Sequence, residues 1–271
     1  MLGISRQAIY QRKKRVIARE KQLLQIKPLV ESIRRSMPRI GTRKLYYLLK
    51  KDFDELQIKI GRDALFNYLR KENMLVKPRK NYTKTTNSKH WLRKHPNLLK
   101  LTSPNRPEHV FVSDITYIKS RERTHYLSLV TDAYSRKIVG YKLSDDMSAE
   151  NVVKAFRMAI KHRQTNKELI HHSDRGLQYC ASVYQKALQK HHVKPSMTDG
   201  YDCYQNALAE RINGILKQEF LIYKCNNGKE LEQLIKESID TYNNKRPHLS
   251  LNMKTPNFIH NKKPEKLISL V

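Results

Sequence analysis

Residues 109–118 read His-Val-Phe-Val-Ser-Asp-Ile-Thr-Tyr-Ile, a run of β-branched and aromatic residues. Period-two alternation puts Val110, Val112, Asp114, Thr116 and Ile118 on one face of a strand. A carboxylate in the middle of such a face is costly to bury unless a cation meets it or a cleft exposes it. The stretch therefore marks a central strand and, in Asp114, a first candidate functional group.

Working outward, residues 126–131 and 136–143 are also rich in Val, Ile and Tyr, with turn-like stretches at 120–123 and 132–135. Together the three runs predict an antiparallel meander. A helix follows, capped by Asp146 or Ser148, with Val152, Val153, Phe156 and Ile160 as its apolar stripe. A short strand at 168–172, a helix at 183–188, a second short strand at 193–197 and longer helices at 205–220 and 228–243 complete the order. Three strands, a helix, then alternating strands and helices describe an α/β fold: a ribonuclease H-like mixed five-stranded sheet flanked by helices.

The region before this core is helical. Residues 20–36 read as one helix, Gly41-Thr42 opens a second, and Ile60-Gly61-Arg62-Asp63 leads into a third through a glycine turn. This is the outline of a small all-α, helix-turn-helix-like region, with Arg62, Asn67, Arg70 and Lys71 available to DNA. From 75 to 106 the periodicity fails, and nine basic residues, Lys77, Arg79 and Lys80 among them, occur without one acid. That composition suits a solvated tether or a strap along phosphates. Trp91 within it could stack on a base, but the commoner fate of a lone tryptophan is to pin such a linker to a neighbouring domain. The expected organisation is a helical region at 1–74, a basic linker at 75–106, a catalytic core at 107–227, and a terminal helix and segment at 228–271.

Charge narrows the function classes. The 271 residues carry 54 Lys+Arg against 25 Asp+Glu, a net +29. The excess is uneven: residues 1–106 hold 28 basic and 7 acidic side chains, residues 107–271 hold 26 and 18. A polyanion partner, duplex DNA, fits a basic front, and a back that retains carboxylates fits chemistry. No apolar run approaches the roughly 18 residues that a membrane span needs, and the basic start does not look like a secretion signal, so a cytoplasmic, nucleoid-associated protein without a membrane partner is expected. Three cysteines without CxxC spacing indicate neither a disulfide framework nor a zinc site.

Two more acids join Asp114. Asp174 ends the apolar run Leu169-Ile170-His171-His172, where an α/β sheet presents residues to a ligand. Glu210 lies in QNALAERINGILKQEF, where Asn206, Glu210, Asn213 and Lys217 share a narrow helical arc and Leu208, Ile212, Ile215 and Leu216 centre opposite. The helix is expected to bury its apolar face and offer the polar one. Three converging carboxylates can hold two Mg²⁺ ions roughly 3.5 to 4 Å apart, with Mn²⁺ as a substitute, for phosphoryl transfer. The pairs His171-His172 and His191-His192 point their members apart and make poor zinc sites. His172 can share a face with Asp174 and tune a metal or touch a phosphate. Arg175 suits a phosphate clamp or an ion pair, Asp132 a turn, and Arg246 and His248 either DNA contact or packing of the terminal segment.

SDITYI around Asp114, HHSDRGLQYCAS at 171–182 and NALAERINGILKQEF at 206–220 resemble the catalytic core of DDE transposases and retroviral integrases. Asp174 and Glu210 are separated by 35 residues, the spacing of that motif. YNNKRPHLSLNMKTP at 242–256 and RIGTRKLYYLL at 39–49 are similar to segments of OrfB-type insertion-element transposases. The resemblance implies Asp114, Asp174 and Glu210 as metal ligands, and Lys217 and Asn206 as DNA-facing residues. Gln205 stands where many relatives carry an acid. It further implies water-driven cleavage leaving a 3′-OH, attack of that hydroxyl on a second phosphodiester, a homo-oligomer on DNA, and an upstream-frame OrfA protein as partner or fusion. Two other readings compete: a non-catalytic DNA-binding regulator of transposition, supported by the basic front, and a ribonuclease H-like nuclease acting on RNA–DNA hybrids.

Overall fold

The computed structural model describes residues 5–77, 91–199 and 206–262. It divides into two compact units, Met1–Arg79 and Lys80–Val271.

In the first unit the described residues form α1 (Arg6–Leu24), α2 (Ile26–Ser36), α3 (Thr42–Glu55) and α4 (Arg62–Lys71). The single helix expected over 20–36 is broken at Gln25, whose N–H returns to Gln22 and Leu23. The break turns Ile26 and Val30 inward while Leu24 stays 74% exposed. Leu45, Leu49 and Phe53 of α3 recur every fourth residue and, with Leu65 and Leu69 of α4, supply the buried faces. α1 buries no residue; Ser5 caps it by accepting from the Ala8 N–H.

In the second unit β1 (Val110–Lys119), β2 (Thr124–Asp132), β3 (Ile138–Ser144), β4 (Ile170–Ser173) and β5 (Lys194–Met197) make one sheet in the order β3-β2-β1-β4-β5. β1 to β3 form the antiparallel meander, and β4 and β5 add in parallel to β1. This is the ribonuclease H-like arrangement anticipated from the order of elements. Alternation on β1 is real, but both faces are covered, so Val110, Phe111, Val112 and Ser113 are all buried. Phe111 joins the larger core with α5 (Ala149–Lys161), α6 (Leu177–Cys180) and α7 (Ser182–Lys190). Val110 and Val112 face α8 (Ala207–Ile215) through Ala209.

One contact is tight enough to dictate sequence. A Cβ on Gly140 of β3 would lie 2.2 Å from the Ala155 carbonyl of α5 and 2.8 Å from the Ala159 nitrogen, so only glycine lets this helix lie so close to the sheet.

α9 (Gly228–Asn244) meets the outer edge of β3 where that strand begins. Asn243 accepts from the Ile138 N–H (3.0 Å) and donates to its carbonyl (2.9 Å), while the Tyr242 hydroxyl donates to the Arg136 carbonyl (2.9 Å). α10 (Pro256–Asn261) follows, and His260 meets the Ser135 hydroxyl at 3.0 Å. Asp132 is fully buried and accepts from the Ser135 N–H, the Ser135 hydroxyl and the Glu108 N–H, the turn role expected for it.

The basic stretch departs from expectation where it is described. Trp91 pins nothing and is 92% exposed. Its neighbour Leu92 packs on the core instead, Met197 donates to the Pro96 carbonyl, and the Leu98 N–H reaches the Ser196 hydroxyl. The smaller Leu side chain is the one partly buried there, and the backbone of 96–98 is fixed at the β5 edge.

Candidate active site

Parallel pairing of β1 with β4 sets the geometry. Val112 is abreast of His172, where the pairing ends; Asp114 lies two residues further along β1 and Asp174 two residues further along the chain that leaves β4. Asp174 lies just past the carboxyl end of β4, and its Oδ1 accepts from the Gly176 N–H at 3.0 Å. Glu210 stands in the first turn of α8, which packs over β1, and is exposed.

The three carboxylates sense one another. Burial, then repulsion from Asp174, pushes the Asp114 carboxyl from 3.8 up to about 7. The Asn213 amide, the Ile115 N–H and, in the opposite sense, Glu210 contribute less. Glu210 is raised by burial and by Asp174. Among the described residues no three His, Cys, Asp or Glu side chains already form a ready metal-binding cluster. Mutually repelling acids have reason to stand apart when no cation lies between them. Their chemistry still fits a hard divalent ion, since the donors are carboxylate oxygens whose charge the fold leaves under-compensated.

The two amides of the polar arc of α8 face β1, while Glu210 of the same arc stays exposed. Asn213 is 4% exposed and its Nδ2 donates to Asp114 Oδ2 at 2.7 Å, while Asp114 Oδ1 accepts from Ile115 N–H at 2.9 Å. Asn206, also 4% exposed, donates to the Ser113 carbonyl at 3.1 Å. Both amides are thus turned onto β1. Lys217 belongs to the wider turn Leu216–Phe220 that continues α8, and its Nζ donates to Thr116 Oγ1 at 3.2 Å. Burial lowers the Lys217 pKa and Asp114 opposes the fall.

Other residues singled out from sequence are scattered. Arg175 is part-buried beside Asp174, and its charge is felt by Cys180 and Asp199. His172 is fully buried against Ser196 Oγ (2.9 Å), which removes it from phosphate. His171 is held by Ser113 Oγ (2.7 Å) and Tyr184 hydroxyl (2.8 Å), and burial pushes its pKa down to about 3. Arg246 is 3% exposed and binds Glu219 through two hydrogen bonds of 2.8 and 2.7 Å, with Tyr242 under its guanidinium. His248 is buried edge-on to the Tyr242 ring. Both belong to the packing of the terminal segment and lack the exposure that DNA contact needs. In the first unit Arg62 is exposed and paired with Asp63 at 2.8 Å, and Lys77 is exposed. Arg79, Lys80, Cys203 and Gln205 lie outside the described residues.

Sequence reasoning missed Asn213 as a partner of Asp114, although its place three residues after Glu210 on the same face was visible. It also missed Glu219 as the partner of Arg246, for which no local pattern gives a signal.

The chain is similar to known proteins in sequence and in fold. Two families, each described as "Integrase core domain", match residues 104–203 and 191–256. The chain is 37% identical over 219 residues to the insertion element IS600 uncharacterized 31 kDa protein of Shigella sonnei, covering 80% of this chain and 79% of that one. It is 33% identical over 152 residues to the transposase InsF for insertion sequence IS3A of Escherichia coli strain K12, covering 56% and 53%. A chain in the simian T-cell lymphotropic virus intasome in complex with PP2A regulatory subunit B56 gamma superposes with a TM-score of 0.52 at 17% identity, covering 84% of this chain and 73% of that one, a likeness of fold.

Proposed function

This chain belongs to the insertion-element transposases built on an integrase core, and from that premise we propose that Asp114, Asp174 and Glu210 carry its polynucleotidyl transfer chemistry. The observation that supports the assignment is that the three acids raise one another, with β1 and β4 paired in parallel just before Asp114 and Asp174 and α8 packed on β1. Mg²⁺, with Mn²⁺ as substitute, would be held by these three carboxylates. Two such ions supply Lewis-acid activation of the attacking oxygen and stabilisation of the leaving one.

The remaining work falls to the chain's own groups. Asn213 and the Ile115 N–H each hold one oxygen of Asp114, which fixes the plane of that carboxylate. The Gly176 N–H does the same for Asp174. His171, neutral beneath the strand, braces Ser113 next to Asp114 without adding charge. Arg175 and Lys217 place positive charge beside the acids, where a phosphodiester would need it.

The substrate is duplex DNA, first an element end and then a target. Water displaces the strand at the end to leave a 3′-OH, and that hydroxyl then displaces a bridging oxygen in the target, so each step exchanges one P–O bond for another. The active form is a homo-oligomer on DNA, joined by an upstream-frame OrfA protein or fusion.

The test is Mg²⁺-dependent cleavage and strand joining on element-end duplexes with Asp114→Asn, Asp174→Asn and Glu210→Gln. Each is expected to lose both steps while retaining DNA binding. Unchanged activity in all three removes the assignment, and cleavage of an RNA–DNA hybrid in place of duplex DNA favours a ribonuclease.

A further inference from the structure

We propose that Trp91 and the basic residues after it form a stacking platform for an unpaired base of the DNA substrate. The inference rests on DNA being the substrate but not on the metal assignment.

An indole left 92% exposed forgoes the large apolar burial that tryptophan usually supplies. It is nevertheless not on a loose tail. Leu92 is packed on the core, His95 bonds Gln185 on α7, Met197 donates to the Pro96 carbonyl at 3.3 Å, the Leu98 N–H reaches Ser196 Oγ at 2.9 Å, and Lys100 pairs with Asp199 at 2.7 Å. The segment is thus anchored along α7 and β5, and Trp91 is displayed at its start.

This anchorage leads to the catalytic strands. Ser196, which receives the Leu98 N–H, also meets His172 at 2.9 Å, two residues before Asp174. The Cys180 thiol feels Lys94, Asp174 and Arg175 together. Residues 91–100 hold Arg93, Lys94 and Lys100 and no acid. An aromatic face with flanking cations matches a nucleic-acid strand, whose bases stack on rings and whose phosphates pair with Lys and Arg. Intact duplex hides its base faces within the helix, so the fitting partner is an unpaired base at a frayed or cut end.

Trp91 is the chain's single tryptophan, so its emission reports this position alone. The experiment titrates the full chain, without divalent metal, with a duplex bearing a short single-stranded overhang, the same duplex with abasic sites in the overhang, and a closed dumbbell duplex. The overhang is expected to quench the emission, and the abasic and dumbbell forms to leave it nearly unchanged. Trp91→Ala should weaken overhang binding about five- to a hundredfold, and Trp91→Phe should recover part of the loss. Equal quenching by all three DNAs, or an equal affinity loss on all three, overturns the stacking role. Quenching by polyglutamate but not DNA would make the surface a protein dock and also overturn it. Asp114→Asn, Asp174→Asn and Glu210→Gln should leave the quench intact, so failure of the catalytic assignment is separable from failure of this one.

Discussion

If Asp114 is held against its neighbours by the fold, removing its charge should stabilise the metal-free protein. Asp114→Asn keeps the shape but removes the charge, and with it first the cost of burying a carboxylate and then the repulsion from Asp174 and Glu210. Its one oxygen serves Asn213 or the Ile115 N–H, not both, which offsets part of the gain. The sign follows from the direction of the shift. A carboxyl raised from 3.8 to about 7 is protonated more readily in the folded chain, so its penalty is small near pH 4, grows as pH rises, and is complete above about 7. At about 1.4 kcal/mol for each pH unit spanned, the ceiling is about 4 kcal/mol, and solvent at the open side of the site brings the expected gain to about 2 kcal/mol. That corresponds to a rise of about 4–8 °C in the melting temperature of a unit this size. Melting in EDTA by circular dichroism should show the variant ahead at pH 8 and nearly level with the parent at pH 4. Added Mg²⁺ should then raise the parent more than the variant. A gap that is absent at pH 8, or that persists unchanged at pH 4, refutes the repulsion argument.

Three further outcomes follow from contacts. Gly140→Ala should destabilise the second unit by about 1–3 kcal/mol, because backbone atoms of α5 must retreat from the new methyl; urea unfolding measures it. Arg246→Ala should cost about 3–5 kcal/mol by breaking a largely buried, doubly hydrogen-bonded ion pair with Glu219, yet leave the salt dependence of DNA binding unaltered, which a filter-binding series can check. Asn213→Ala should raise the Mg²⁺ concentration for half-maximal cleavage about ten- to a hundredfold while melting changes little, and an unchanged Mg²⁺ requirement would remove its orienting role.

The strands were legible because β1 to β3 are long, β-branched and separated by turn residues, and the same period placed Asp114 on its face. The spacing of Asp174 and Glu210 was legible as a motif. What escaped was which way the polar arc of α8 points. Periodicity defines two opposed faces, but not that the amide-bearing one lies on β1, since Asn206 and Asn213 find partners only in residues some hundred positions away. Arg246 read as an exposed cation for the same reason, its partner Glu219 being 27 residues upstream on another element. The break at Gln25 was hidden because apolar residues continue across it, and only burial distinguishes Leu24 from Ile26. Trp91 inverted a general preference of its residue type, which composition alone does not reveal.

The pairing of Asn243 with Ile138 has a consequence for incomplete copies of such a gene. One side-chain amide occupies the outer hydrogen-bonding groups where β3 begins, at the rim of the sheet. A translation product stopping short of that asparagine would offer a bare strand to any similar chain nearby. Damaged copies would then be cleared as aggregates and would not persist as soluble competitors for the same DNA ends.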